Sequence, residues 1–398
     1  MEFSLLFRKK LWATGLAMFS MFFGAGNIVF PLVLGQLTLD KNLYAVAGML
    51  LTGVLVPLAG LLAMILFDGD TGAFFRRIGR LPGFVLSLLI LALIGPFAGL
   101  PRCITISFST LTAFGLKNLP GMTLALFSFI NCIVIYFFTF RRNKVLDLLG
   151  YVLTPLLLLS LAAIIIKSSF GVNLEFLGGG TSWGAFTQGF VGGYNTMDLL
   201  AAFFFSSVVL LCLKEKGSNA EQHPRFPLLS IALVGSIIAA ALLGFVYLNF
   251  ASIAAKFSPV LNGVPNHELL GAIAREMLGP YAGLVAGVAV SFACLTTEIA
   301  LAVVFSQFLQ KLVTDLSFGK LKLSYRAALI ITLFVAFLVS TLHFEGISSY
   351  LVPVLQLCYP ALIVLTVLNI CHKLFGFKYV KIPVYTVFFA TLVLYFVL

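Results

Sequence analysis

The stretch FFGAGNIVFP, residues 22–31, interrupts the first long apolar run of the chain with glycines, an asparagine and a proline. A second stretch, GFVGGYNTMD at residues 189–198, interrupts the sixth run in the same way. Non-helical backbone at membrane depth is tolerated only where it is buried in protein or lines a cavity. Glycine leaves helical geometry without a steric penalty, and Asn and Asp tolerate unusual backbone conformations. The two stretches therefore predict two broken membrane helices beside an internal cavity.

The composition of the whole chain requires a membrane. Hydrophobic residues make up 61% and charged residues 10% of the 398 residues, whereas ordinary soluble chains are about 25% charged. The apolar runs last about 20 residues, as spanning helices do, rather than the ten or so of a barrel strand. The net charge of +11 is spread over small clusters between the runs, which argues against nucleic-acid binding. We predict an all-α polytopic membrane protein.

Marking every run long enough to cross the bilayer gives about eleven predicted spans within a single membrane domain, residues 1–398. They are 11–34, 44–67, 83–116, 120–140, 144–167, 187–213, 228–250, 281–312, 323–342, 346–372 and 381–398. The third is long enough to tilt or to extend beyond the membrane. A short helix is expected at 267–278, in the turn-rich loop between the seventh and eighth spans.

The distribution of basic residues between the spans predicts the orientation. Of the 25 Lys and Arg residues, nineteen lie on the side of the N-terminus, five lie on the other side, and one, Arg102, lies inside the third span. Loops rich in Lys and Arg stay in the cytoplasm. We therefore expect a cytoplasmic N-terminus and an external C-terminus. The six cysteines all fall inside apolar runs, which favours buried thiols over disulfides.

The two interrupted spans are five spans apart, which suggests two five-helix repeats of opposite orientation. The repeats would cover residues 11–167 and 187–372, with 381–398 as an extra C-terminal helix. Broken helices at corresponding positions of inverted repeats indicate a transporter site near the bilayer midplane. Free amides at a half-helix N-terminus would face a carboxylate, and free carbonyls would face a cation. Close packing of small residues is the alternative interpretation of Gly24 and Gly26.

Three motifs carry a resemblance to a known family: FGAGNIVFP at 23–31, GPFAGLPR at 95–102 and the second broken stretch at 189–198. In this order they resemble the branched-chain amino acid:cation symporters of bacteria, over residues 10–372, with the inverted-repeat fold of LeuT-type transporters. The resemblance implies sodium-driven uptake of leucine, isoleucine and valine across the cytoplasmic (inner) membrane. Its expected partners are the amino acid, a monovalent cation and the lipid bilayer, with no cofactor beyond the coupling ion.

Other functional classes remain open. A proton-coupled carrier of the same fold is the nearest alternative. A membrane enzyme that uses Asp198 or Glu298 as a base, or a channel, is a more distant one. No phosphate-binding loop with lysine occurs, so the sequence does not support ATP-driven transport.

The LeuT-type pattern places the amides of Ala25 and Gly26 at the substrate carboxylate. The other polar or flexible positions near the breaks complete the expected substrate site: Asn27, Gly193, Tyr194, Thr196 and Asp198. An aliphatic substrate side chain would need apolar walls, for which the nearest candidates are Phe22, Phe23 and Met197.

The eighth span contains ACLTTE at residues 293–298. The carbonyl of Ala293 and the hydroxyls of Thr296 and Thr297, at i+3 and i+4, lie on one helical face. Together with first-span carbonyls near Ser20 and Phe23, this arrangement resembles the sodium site of LeuT-type carriers. The alternative is that the threonines only bond back to carbonyls of their own helix.

Three charged residues lie at membrane depth, where each costs about 2.5–3.5 kcal/mol at the helix centre on an insertion scale. For Asp198 we expect an ion pair with Arg102, with direct contact to the ion or the substrate amine as the alternative. Arg102 could otherwise anchor a carboxylate. Glu298 departs from the resemblance, because a small apolar residue is expected there. It would bring a proton into the coupling, add charge near the cation, or lie toward Arg102 or an inner cavity.

Overall fold

The computed structural model describes residues 2–113, 122–139, 154–169, 180–206, 225–317 and 322–397. Within these ranges the regular structure is helical, and none of them contains a β-strand. The predicted all-α class is therefore confirmed.

The helices are numbered here in chain order. Those of the first half are α1 Glu2–Phe22, α2 Ala25–Thr38, α3 Asn42–Leu50, α4 Val56–Leu66, α5 Thr71–Phe75, α6 Arg80–Ala92, α7 Gly99–Ala113, α8 Leu124–Thr139 and α9 Thr154–Ser169. Those of the second half are α10 Ser182–Gly192, α11 198–206, α12 Arg225–Lys256, α13 Ser258–Leu261, α14 Leu269–Leu316, α15 Tyr325–Ser340, α16 His343–Phe375 and α17 Lys381–Val397.

Among the residues that the structure describes, five helical stretches are long and apolar enough to cross a membrane by length and composition: Ala25–Leu66, Arg80–Thr112, Ile231–Lys256, Val290–Asp315 and His343–Phe375. Shorter apolar helices account for further predicted spans: Leu11–Phe22, Leu124–Thr139, Leu157–Lys167, Tyr325–Ser340 and Lys381–Val397. Large apolar side chains such as Phe137 and Phe396 are exposed on the outside of the bundle, as expected for surfaces that face lipid. The chain is a multi-pass membrane protein, and the count of eleven spans stays a prediction.

Several helices are preceded by a polar side chain that accepts a hydrogen bond from an amide of the first turn. Such caps are needed because the first amides of a helix have no partner within it. Asp70 accepts a hydrogen bond from the Ala73 amide at the start of α5. Thr181 and Ser324 do the same at the starts of α10 and α15. These polar residues mark where the chain enters a helix.

The predicted break in the first span is confirmed. It occupies Phe23 and Gly24, between α1 and α2. Gly24 has an extended backbone, with φ −117° and ψ −159°. Its amide donates to Oδ1 of Asn27 at 3.2 Å. A side chain therefore satisfies the backbone where α2 begins.

The predicted break in the sixth span is also confirmed, although it is built differently. The span leaves α-helical geometry after Gly192 and continues as a 3-10 turn over Gly193–Thr196, which ends at Met197. Met197 has a left-handed backbone, with φ 65° and ψ 12°. The chain returns to a helix at 198, so Asp198 lies directly at the start of α11.

The third span departs from the expectation of one continuous helix. A wide turn over Leu93–Phe97 separates α6 from α7, and Gly95 within it is not helical, with φ −84° and ψ −126°. Pro96 follows, and proline cannot donate the amide hydrogen bond that a continuous helix requires. A Cβ on Gly95 would lie 2.8 Å from the ring of Phe305, so glycine also permits close approach to α14.

The broken spans lie at the centre of the bundle. Helix α10 packs against α3, both halves of the first span pack against α12, and α7 and α9 pack against α14. The expected short helix at 267–278 is present as the first part of α14, which is interrupted by non-helical geometry at Gly279. The predicted short helix and the eighth span are therefore two segments of one kinked helix.

Candidate functional site

A cavity lies between the two breaks and holds about 410 Å³ of empty space, including the part open to solvent. Its walls come from the first, third, sixth and eighth spans. The lining residues are Met21, Phe22, Gly24, Ala25, Gly26, Asn27, Ile94, Gly99, Arg102, Cys103, Thr196, Met197, Asp198, Ala201, Phe205, Thr297 and Leu301. Most of the wall is apolar, with a few polar groups from the breaks, as is usual for a small-molecule site.

Asp198 is only 2% exposed and is held by two neutral donors. Its Oδ2 accepts hydrogen bonds from Nδ2 of Asn27 at 2.6 Å and from the hydroxyl of Tyr247 at 3.0 Å. Asn27 and Tyr247 are also in hydrogen-bond contact with each other. The three side chains form a buried polar cluster at the edge of the cavity.

Asn27 joins the two breaks through both ends of its amide. Its Oδ1 accepts from Gly24 within the first break, and its Nδ2 donates to Asp198 after the sixth. The backbones also meet, because a Cβ on Gly26 would lie 3.0 Å from Cα of Thr196. Gly26 therefore combines the two interpretations of the sequence, a broken helix and close packing of small residues.

The expected ion pair between Arg102 and Asp198 is wrong. No carboxylate in the described ranges lies within the 4.0 Å ion-pair distance of the Arg102 guanidinium. Its Nη1 instead lies 3.4 Å from the carbonyl oxygen of Asn195 and 3.4 Å from Sδ of Met197. The physical reason is that Asp198 faces Asn27 and Tyr247, which already supply donors to its carboxylate.

The oxygens of the expected ion site do come together. Oγ1 of Thr296 lies 2.9 Å from the carbonyl oxygen of Ser20 and 2.8 Å from that of Ala293. Oγ1 of Thr297 lies 3.3 Å from the same Ser20 oxygen. The bond from Thr296 to Ala293 is the back-bond of the alternative interpretation, and it coexists with the contacts that join α14 to α1. The described part of the chain contains no group of three or more His, Cys, Asp or Glu side chains that could hold a metal ion.

Three residues that we expected beside the substrate do not line the cavity. Phe23 stacks on Phe19 with the ring centroids 5.2 Å apart, so its side chain belongs to the core of the bundle. The ring of Tyr194 stacks on that of Tyr359 at 4.6 Å. Gly193 packs directly against Thr52. These three residues pack against other parts of the bundle rather than against the cavity. A role for the Phe23 carbonyl at the ion stays a prediction.

Glu298 is not among the residues that line the cavity. It is fully buried, and its Oε2 accepts a hydrogen bond from Nδ2 of Asn131 on α8 at 2.8 Å. Its Oε1 has no hydrogen-bond partner among the described residues. Of the alternatives for Glu298, an ion pair with Arg102 does not form among the described residues. Successive residues of a helix are about 100° apart around its axis, and the Glu298 carboxylate contacts Asn131 instead.

The sequence interpretation missed several partners because each is a single polar or aromatic residue in an apolar span. The hydroxyl of Tyr359 accepts from the Leu199 amide at 3.1 Å, which satisfies the start of α11. Tyr247 and Asn131 hold the two buried carboxyl groups. The available signal was a hydrogen-bonding atom at mid-span, where an unsatisfied polar group is costly.

Comparisons with known proteins agree with this geometry. A family model described as "Branched-chain amino acid transport protein" matches residues 7–397. A putative branched-chain amino acid carrier protein of Staphylococcus aureus strain MRSA252 is 30% identical over 402 residues, covering 96% of this chain and 86% of the relative. The branched-chain amino acid permease BraB of Bacillus subtilis strain 168 is 30% identical over 366 residues, covering 91% and 80%.

Among solved structures, the crystal structure of MhsT in complex with L-phenylalanine is similar, with a TM-score of 0.62 at 15% identity. The likeness covers 94% of this chain and 98% of that chain. At this identity it shows the fold alone, which is that of the LeuT-type transporters. Together with the family match over nearly the whole length, it shows that the chain belongs to the branched-chain amino acid transport protein family.

Proposed function

We propose that this chain takes up leucine, isoleucine and valine by sodium symport. The observation that carries the proposal is the position of Thr297, which lines the cavity and also contacts the Ser20 carbonyl. We call the Ser20 and Ala293 carbonyls and the Thr296 and Thr297 hydroxyls the ion-site group. A Cβ on Gly24 would lie 3.0 Å from Oγ1 of Thr297, so the first break and the hydroxyl are in direct contact. Substrate and ion would therefore bind side by side.

The ion-site group suits a small monovalent cation. Hard cations prefer oxygen ligands, and unwound carbonyls in this class of fold coordinate sodium. Rotation of the Thr296 and Thr297 hydroxyl hydrogens away from Ser20 would turn their lone pairs toward an ion. Such an ion would bridge α1 and α14. Its binding would favour the conformation in which these helices are close together.

The start of α2 suits the substrate carboxylate. Ala25 and Gly26 are its first residues, and the amides at a helix N-terminus carry a partial positive charge. Asp198 lines the same cavity and is our candidate partner for the substrate amine. Phe22, Met197 and Phe205 would supply apolar contacts for a branched aliphatic side chain.

The energetics of a single coupling ion are sufficient for uptake. One positive charge that crosses 100 mV releases about 2.3 kcal/mol. A tenfold sodium gradient adds about 1.4 kcal/mol. Together they support roughly 500-fold accumulation, since every 1.4 kcal/mol is a factor of ten. The substrate carries no net charge, so the ion would carry the current.

We also propose that the chain lies in the bacterial cytoplasmic membrane with its N-terminus inside. Nineteen basic residues on one side against five on the other support this orientation. Single cysteines introduced at Lys41 and Lys378, in a variant without native cysteines, test it in intact cells. A membrane-impermeant maleimide should label the first position and not the second. Labelling of Lys378→Cys alone would reverse the orientation.

The experiment for the main proposal is leucine uptake into proteoliposomes, with sodium and proton gradients imposed separately. Sodium-driven accumulation is expected. The second candidate is proton coupling, and the observation that favours it is the unpartnered Oε1 of the buried Glu298, among the residues that the structure describes. Accumulation driven only by protons would establish that alternative. No uptake with either gradient would contradict the proposed substrate.

A further inference from the structure

Arg102 is a charged residue in the wall of the cavity, with no acidic partner in the described part of the chain. It is 2% exposed, so water cannot solvate its charge as it would at a surface. A buried charge is strongly unfavourable unless it is paired and hydrogen-bonded. Intramembrane charges for this reason mark functional positions by default.

Two phenylalanine rings pack against the guanidinium of Arg102. Its Cζ lies 5.2 Å from the ring centroid of Phe30 and 5.1 Å from that of Phe344. Cation–π interactions of this kind stabilise the charge without supplying a hydrogen-bond acceptor. Nη1 is oriented toward the sixth break, with Asn195 and Met197 each 3.4 Å away.

The remaining donors lie along one edge of the guanidinium. Nε and Nη2 of Arg102 are both buried, and neither has a hydrogen-bond partner in the ranges that the structure describes. These two nitrogens direct parallel N–H bonds from the same side of the plane, which is the arrangement that binds a carboxylate through two hydrogen bonds at once. The free edge therefore matches the shape and the charge of a carboxylate.

We propose that the Nε/Nη2 edge of Arg102 binds the carboxylate of the transported amino acid, together with the amides of Ala25 and Gly26. The inference rests on the proposed function and adds a side chain that selects for the carboxylate. Arg102, Ala25 and Gly26 line the same cavity, so both donor sets belong to residues of one cavity wall. Asn195 and Met197 fix the guanidinium to the sixth break, so carboxylate binding would also tie the third span to the sixth.

The test compares leucine with leucinol, which keeps the amine and the side chain but lacks the carboxylate. Radiolabelled leucine uptake into proteoliposomes is measured for the wild type, Arg102→Gln and Arg102→Lys, with leucinol as the competitor. Arg102→Gln should raise the KM for leucine roughly 10- to 100-fold, the usual range for a hydrogen bond to a charged group. The inhibition constant for leucinol should change less than about twofold on the same reasoning. The KM of Arg102→Lys for leucine should lie between those of the wild type and Arg102→Gln, because lysine keeps the charge but cannot donate two parallel hydrogen bonds.

Arg76→Gln is the matched control, because it removes the same charge from an exposed site beside Asp70. If Arg102 only supports the break, leucine and leucinol should weaken together, and an unchanged leucine-to-leucinol ratio would overturn the inference. If a variant has no measurable uptake, the shift in Tm of the purified protein on addition of leucine or leucinol gives the same ratio. Wild-type protein that neither takes up nor binds leucine would instead overturn the proposed function, and with it this inference.

Discussion

The first and sixth breaks open one cavity by opposite means. The first is short, two residues at Phe23 and Gly24, and presents bare backbone: added Cβ atoms on Gly24 and Gly26 would lie 3.0 Å from Thr297 and Thr196. The sixth is longer, a 3-10 turn and a left-handed residue, and depends on side chains. Asp198 after it is held by two donors.

This difference predicts opposite sensitivities to mutation. The first break works because side chains are absent, so adding atoms should damage it most. The sixth works because partners are present, so removing atoms should damage it most. Asn27 belongs to both, since it accepts from Gly24 and donates to Asp198.

The largest effect is expected from Gly26→Leu. The new side chain would collide with the backbone of Thr196, which cannot move aside as a flexible side chain can. Overpacking of this kind costs about 1–3 kcal/mol and sometimes more. Leucine uptake should fall by about 100-fold or more, since the same atoms also fill the cavity. Uptake is measured at equal protein content in the membrane.

The matched control for that variant lies in the sixth span. Gly192→Ala adds a Cβ where no atom lies within 4 Å, whereas Gly26→Ala adds one at 3.0 Å from Thr196. We expect near-normal uptake for the first and a clear loss for the second. Equal uptake from both alanine variants would contradict the close contact between the breaks.

The next effect is expected from Asn27→Ala, which removes the side chain shared by the breaks. Asp198 loses its 2.6 Å donor and the Gly24 amide loses its acceptor. A buried polar group left unsatisfied costs about 1–3 kcal/mol, which corresponds to a roughly 5- to 100-fold loss of uptake. The thermal stability of the purified protein should fall as well. A variant with normal uptake and stability would show that the two breaks act independently.

A smaller and more selective effect is expected from Thr296→Ala combined with Thr297→Ala. The change removes both hydroxyls that contact the Ser20 carbonyl before the first break. The sodium concentration for half-maximal uptake should rise roughly tenfold, as expected for the loss of about one net interaction. Thr366→Ala is the control, because its buried hydroxyl bonds back to Leu362 in its own helix. An unchanged sodium requirement would place the ion elsewhere.

The smallest effect is expected from Tyr247→Phe. The ring is kept, and only one of the two donors to Asp198 is removed. A single net hydrogen bond is worth about 0.5–1.5 kcal/mol, so uptake should fall by roughly two- to tenfold. Loss as severe as that of Asn27→Ala would mean that the hydroxyl, rather than the Asn27 amide, sets the position of Asp198.

The sequence predicted both breaks because glycine clusters weaken a helix and occur here in the middle of otherwise apolar runs. It also predicted that the hydroxyls of Thr296 and Thr297 share one helical face and lie near the Ser20 carbonyl, as they do. An ion at these oxygens stays a prediction. The kink at Gly95 was less evident, although Pro96 beside it gives the physical reason. The positions of the helix breaks were therefore predictable from the residues at the breaks themselves.

Contacts between spans were not predictable in the same way. Pairing Arg102 with Asp198 followed from charge alone, but which side chains face each other depends on helix rotation, which composition does not determine. Neutral donors satisfied the acid instead, and one of them, Tyr247, lies 49 residues from it along the chain. The same limit applies to Asn131, which holds Glu298 from a different span.

The helix of the eighth span is kinked at Gly279. The backbone of Gly279, with φ 64° and ψ −169°, lies in a region that is essentially restricted to glycine, and no atom lies within 4 Å of the position of a Cβ. The part of α14 before Gly279 is preceded by the turn Asn266–Glu268, which packs on α7, the helix of Arg102. The part of α14 after Gly279 carries Thr296 and Thr297. The contact with α7 and the contacts of Thr296 and Thr297 with Ser20 therefore lie on the two sides of one glycine kink, and a rotation about Gly279 would change their relative position without breaking either helical segment.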